Sequence, residues 1–180
     1  LNFWRWLFAF LIVLTWTSGE LWENRVLILA KWKFISFLAL SSAIGFGALH
    51  YVALQYTTAI NGALFQGLMS ICILIVAFII LGDRFGIREG FGVILGFGGV
   101  AVIVTRGDID VLLNLTLNIG DIILLVATMS YSVYAVFLRR APPELSSSAL
   151  MAGMFGFATI FMFPVWLIEL YGFNRPVPVN

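Results

Sequence analysis

Asn61, Gln66 and Ser70 interrupt one apolar run, and Thr128, Tyr131 and Tyr134 interrupt another. Amides, hydroxyls and phenols can hydrogen-bond a polar or amphipathic molecule without adding charge. Tyrosine rings add cation–π contact. An unsatisfied amide is costly in hydrocarbon, so these groups must face protein or a wet cavity. Two readings stay open for each: hydrogen bonds between helices, or the lining of a polar path. His50, the single histidine, is either a proton-coupling group or a hydrogen-bonded residue near a helix end. Asp121 is the nearest carboxylate to a relay position, but its place in the first turn of a helix fits capping.

Other chemistries find little support. A single cysteine, Cys72, forms no internal disulfide, and no Cys/His cluster exists for zinc. Inside an apolar block it reads as a small buried hydrophobe. Gly96-Phe97-Gly98 lacks the preceding strand and third glycine of a dinucleotide site, so no cofactor is expected. Ser18-Gly19 follows Trp16-Thr17 rather than the Gly-x of an intramembrane serine protease. Asn118-Ile119-Gly120-Asp121 lacks the first glycine of the Gly-x-Gly-Asp aspartyl pattern. No enzyme activity is expected.

The elements that must position the polar residues follow from composition. Only 11% of residues are charged and mean hydropathy is +1.05, whereas soluble domains carry about 25% charged residues. A net charge of +1 gives no basic field for nucleic acid. Six apolar blocks stand out, at 2–17, 34–55, 59–81, 89–105, 119–138 and 147–170. Most have the ~17–25 residues that cross a bilayer as a helix. The reading is all-α: a polytopic transmembrane bundle of six helices, with the lipid bilayer as first partner. The longest expected links are 18–33 and an interfacial stretch at 106–118. Arg25, Lys31, Lys33, Arg84, Arg88, Arg139 and Arg140 fall on one side, against Arg5, Arg106 and Arg175, which places the first set in the cytoplasm. Trp4, Trp6, Trp16, Trp22, Trp32 and Trp166 near block ends fit aromatic belts. The Asn114-Leu115-Thr116 sequon falls on the outer face. The chain starts without Met, almost inside an apolar segment, and reads as part of a longer polytopic protein.

Gln66 lies seven residues into the third block, ~10 Å deep at 1.5 Å per residue. Ser70 is one turn deeper, and with Asn61 they form a rough stripe. Gly92, Gly96 and Gly99 share one face of the fourth block. Small residues let helix backbones approach closely in lipid. Packing within the subunit and a homodimer contact are both open here. Ala152 and Gly156 repeat the spacing in the last block.

Residues 53–84 form a recognisable pattern. Ala53-Leu54, Tyr56-Thr57 and Ala59, followed by Gly82-Asp83-Arg84, resemble the first repeat of EamA-type permeases of the drug/metabolite transporter superfamily. Arg5 and Ala9 resemble the start of that family's second helix, and Gly92 with the Gly96–Gly99 cluster its fifth. Gly120-Asp121, Ser130-Tyr131, Tyr134 and Arg139-Arg140 resemble the opening of its second repeat. Asp83 replaces the family's Glu, and Ser70 stands about where Pro is common. The resemblance implies ten helices in two inverted repeats of five. Residues 1–108 would be helices two to five of the first repeat, and 109–180 the start of the second. It implies export of a small organic solute by alternating access across a bacterial inner membrane, with a channel or a non-transporting scaffold as alternatives. Transporter sites lie near the bilayer midplane. The expected pathway residues are therefore Asn61, Gln66, Ser70, Thr128, Tyr131 and Tyr134, with His50 as the proton-coupling candidate.

Overall fold

The computed structural model describes residues 2–84, 86–105, 107–108, 110 and 118–172. The expected interfacial stretch at 106–118, the Asn114 sequon, Arg106 and Arg175 lie largely or wholly outside them. The described residues are helical almost throughout. In lipid a helix satisfies every backbone group internally, which is why long apolar runs fold this way. The elements are α1 (Asn2–Glu23), α2 (Arg25–Ala30), α3 (Trp32–Ala53), α4 (Ala59–Leu81), α5 (Ile87–Thr105), α6 (Ile119–Leu138) and α7 (Ser147–Gly172). Ser41–Ala48 in α3 is wound as a π-helix.

Among the described residues five helices, α3 to α7, are long and apolar enough to cross a membrane. The chain is a polytopic helical bundle and an integral membrane protein. The sixth expected block is α1; it has 22 residues, but Arg5, four indoles and the polar end from Thr15 to Glu20 lower its hydropathy. The expected link at 18–33 is instead helical. α1 continues to Glu23 and α2 fills most of the remainder, with breaks only at Asn24 and Lys31. Charge there marks departure from the apolar layer, and apart from Gly19 the segment holds no strong helix breaker.

The chain forms two compact units. One comprises residues 1–44 and 142–180, the other 45–141. In the first, α7 packs on α1 and on the first half of α3. Ala149, Ala152 and Ala158 are fully buried. A Cβ at Gly153 would stand 3.5 Å from Ile35, and one at Gly156 would stand 3.3 Å from the Phe10 ring. The Ala152–Gly156 spacing thus serves helix packing inside this unit. Phe3 stacks on Trp166 at 5.2 Å. Near the end of α1 the Glu20 carboxylate accepts from the Ser146 hydroxyl at 2.8 Å and from Ser148. Those hydroxyls, Ser148 first, hold the Glu20 carboxyl below the ordinary glutamate range.

The second unit holds the end of α3 with α4, α5 and α6. Thr58 caps α4, its hydroxyl accepting from the Asn61 N–H at 3.2 Å. Gly82 ends α4 at φ 71°, a left-handed turn that glycine adopts without strain. Asn118 and Asp121 form a reciprocal capping box at the start of α6. Three contacts show that α4 and α6 run in the same direction. Asn61 meets Asp121 near their starts, Val76 and Ala77 pack with Val136 further along, and Asp83 meets Arg139 past their ends. α5 returns alongside α4 and packs on it.

Candidate functional site

The polar residues of the second unit fall into three places. The first is a closed hub at the start of α4 and α6. Asp121 is 2% exposed. Its Oδ1 accepts from the Thr57 hydroxyl at 2.5 Å and from Asn61 Nδ2 at 3.0 Å. Its Oδ2 accepts from Asn61 Nδ2 at 3.0 Å and from the Asn118 N–H at 2.9 Å. Gly120 makes this approach feasible. A Cβ there would stand 2.7 Å from the Tyr56 carbonyl carbon and 2.8 Å from the Ala53 oxygen. Backbone cannot yield as a flexible side chain can, so only glycine brings the start of α6 onto the turn after α3. Asn61 therefore sits in a helix-to-helix hydrogen-bond hub, away from Gln66. Their separation of five residues rotates them well apart on a 3.6-residue helix.

The second place is a groove of about 630 Å³ between α4 and α5. Gln66 and Ser70 are both exposed and line it, opposite Gly92 and Gly96. Glu89, in the first turn of α5, also lines it. No described residue hydrogen-bonds the side chain of Gln66 or Ser70. The helices close on one another at Gly67, where an added Cβ would stand 3.2 Å from Val100. Gly92, Gly96 and Gly99 have nothing within 4 Å of an added Cβ. The contact glycine of this helix pair is thus Gly67, which the sequence analysis passed over although Ala63 precedes it at the small-xxx-small spacing.

The third place is an aromatic row across α3 and α6. Phe46 lies 5.2 Å from the His50 ring and 4.9 Å from Tyr131. Tyr131 lies 5.5 Å from Tyr134. The structure thus joins His50 to the two tyrosines through Phe46, a residue that sequence reasoning passed over. Its only signal was position, one turn before His50. Thr128 is near this row in sequence but buried, and its hydroxyl donates to the Leu124 carbonyl at 2.8 Å. Ser132 repeats that bond to the Thr128 carbonyl. Both hydroxyls are satisfied by their own helix. Among the described residues no group of three or more His, Cys, Asp or Glu is placed to hold a metal.

The sequence profile of the EamA-like transporter family matches residues 1–105. The chain belongs to the EamA-like transporter family. Two relatives are similar to it. An uncharacterized transporter, YyaM, of Bacillus subtilis (strain 168) is 33% identical over 134 residues, covering 72% of this chain and 42% of the relative. An uncharacterized transporter of Archaeoglobus fulgidus is 30% identical over 185 residues, covering 100% of this chain and 60% of the relative. The chain thus spans about half the length of the curated relatives it matches. No solved structure matches it. Within this EamA-family chain, the profile match contains all of α4 and α5, the two walls of the groove.

Proposed function

We propose that this chain is part of a ten-helix permease that exports a small organic solute by alternating access across a bacterial inner membrane. Residues 1–108 then supply helices two to five of one repeat, and 109–180 open the second. The observation that carries this reading is the groove between α4 and α5. An amide and a hydroxyl, Gln66 and Ser70, face open space within a helix that is otherwise among the most apolar in the chain. A polar group kept in a membrane span without a protein partner is costly unless something polar reaches it. Membership of a transporter family, with relatives named as transporters, supports the same reading.

In this reading Gln66 and Ser70 line the pathway on α4, and Tyr131 and Tyr134 line it on α6. Asn61 and Thr128 stand apart from it: the Asn61 amide nitrogen donates to Asp121 of α6, and the Thr128 hydroxyl donates within its own helix. His50, the proton-coupling candidate, joins the tyrosines through Phe46. A homodimer contact through Gly92, Gly96 and Gly99 would close the groove that Gly92 and Gly96 line, so this reading leaves that face to the solute.

The test is solute exchange in liposomes with the full-length protein. A saturable flux that counter-solute stimulates supports a carrier. A non-saturating flux points to a channel, and no flux to a scaffold. Gln66→Leu and Tyr131→Phe should each lower exchange with normal expression. Unchanged kinetics in both would remove them from the pathway.

A further inference from the structure

We infer that the row Phe46, His50, Tyr131 and Tyr134 is a binding ledge for a flat, uncharged aromatic solute that carries a hydrogen-bonding group. The inference rests on the transporter reading above and names the chemical class of its cargo.

Four observations support it. The rings are spaced at 5.2, 4.9 and 5.5 Å along the row. Their planes are tilted by 39°, 54° and 56°. Tilted neighbours leave ring faces uncovered, and a further ring can stack against an uncovered face or meet it edge-on. All four side chains are half-buried, so part of each ring is left exposed. No described residue hydrogen-bonds the two phenols or the imidazole, so each can donate to or accept from a solute.

Depth supports the same assignment. Phe46 lies seven residues before the end of α3, and Tyr131 lies seven before the end of α6. The two helices cross the layer in opposite directions, and each residue is ~10 Å from its helix end at 1.5 Å per residue. Long side chains lean toward their helix N-termini, which brings these two rings toward each other near mid-depth. That is where a carrier holds its cargo.

Charge decides between a neutral solute and a cation. Aromatic faces attract cations, but a cation at mid-depth also needs a counter-charge. α4 and the second half of α3 contain no acidic residue. Asp121, the acid of α6, is buried and already accepts four hydrogen bonds. Glu89 lines the α4–α5 groove instead. The ledge is rich in π faces and hydrogen-bonding groups and has no free carboxylate, which favours an uncharged ring.

The probe is radiolabelled indole, a flat neutral ring with one N–H donor, bound to the full chain in lipid nanodiscs. Saturable binding is expected, and the cation tetraphenylphosphonium should not compete. Phe46→Leu and Tyr131→Leu should weaken binding about tenfold, through loss of ring contact and buried area. Tyr131→Phe and Tyr134→Phe keep the rings and should weaken it about fivefold, the loss of one hydrogen bond. Phe46→Tyr should bind within about twofold of wild type. If the leucine variants fail to elute as single species, the tyrosine-to-phenylalanine pair carries the test. Competition by tetraphenylphosphonium as strong as by unlabelled indole overturns the inference, as does indole binding unchanged in the variants. Saturable leucine exchange by the full-length protein in liposomes, without indole binding, overturns the aromatic cargo and leaves the transporter standing. Absence of saturable exchange for both solutes defeats the two readings together.

Discussion

Helix α4 presents polar residues on two faces with opposite fates. Toward α6, Asn61 joins Thr57 and Asn118 around a buried carboxylate, Val76 and Ala77 close on Val136, and Arg139 reaches Asp83 at 3.0 Å. Toward α5, Gln66 and Ser70 face a groove with glycines on its far wall. The first face is a seam in which each polar atom of the Asp121 carboxylate has its donors. The second is open, and its polar groups have no described hydrogen-bond partner. Polar residues in a membrane span therefore do not form one class. Those with mutual partners fix helices, and those facing open space are candidates for contact with cargo.

The comparison breaks most severely at its hub. Asp121→Ala strips four hydrogen bonds from one buried site and takes that acceptor from the Asn61 amide nitrogen and the Thr57 hydroxyl. Since each bond to a charged group contributes ~1.5–3 kcal/mol and the losses are not additive, a net destabilisation of about 3 kcal/mol or more is expected. Thermal unfolding in detergent would measure it. A variant as stable as wild type would mean that the hub does not hold the seam.

Gly120→Ala comes next. Its methyl group would collide with the backbone at Tyr56 and Ala53, so α6 must move off the turn. Overpacking of this kind costs about 1–3 kcal/mol. Thermal unfolding in detergent should show the loss relative to the glycine parent. A Gly120→Ala variant as stable as the parent would contradict the close approach.

Arg139→Ala removes the exposed ion pair at the other end of the seam, where both side chains are about half exposed. An exposed pair contributes about 0.2–1 kcal/mol, so only a small fall in melting temperature is expected. Added salt should reduce the difference between Arg139→Ala and wild type. Gln66→Leu, on the open face, should leave stability within about 0.5 kcal/mol of wild type. The contrast with Asp121→Ala is the sharpest form of the comparison: one variant unfolds the seam, while the other keeps the fold and loses solute exchange.

The smallest effect concerns the exposed tie between α1 and α7 in the other unit. The hydroxyls of Ser148 and Ser146 lower the Glu20 pKa in the folded chain. A lowered folded value contributes stability above the ordinary glutamate pKa and loses it as pH falls through the folded value. Proteolysis at residues 142–146 should therefore quicken on acidification from neutral pH to below that range. Glu20→Gln should flatten this dependence, and an equally steep profile in that variant would assign the effect elsewhere.

Much of the fold was legible because hydrocarbon leaves the backbone few choices. Blocks 59–81 and 119–138 match α4 and α6 in type and closely in extent. The Gly82 exit and the Asn118–Asp121 cap follow from local chemistry, which chain neighbours settle among themselves. The expected link at 18–33 is helical, because its charged residues mark the edge of the apolar layer and not a helix end.

The sequence by itself determined the solvent of this protein, the extent of its main helices and the residues on which chemistry could rest. Composition, block length and turn chemistry are local properties and need no partner. Tertiary structure alone decided which of those residues are occupied. Asn61 and Gln66 are both amides five positions apart on one helix, and nothing in their types separates them. One meets a carboxylate from a helix sixty residues later, and the other meets glycines across a groove. Pairing between distant segments sets whether a buried polar group is satisfied, and that pairing exists only once the helices have packed.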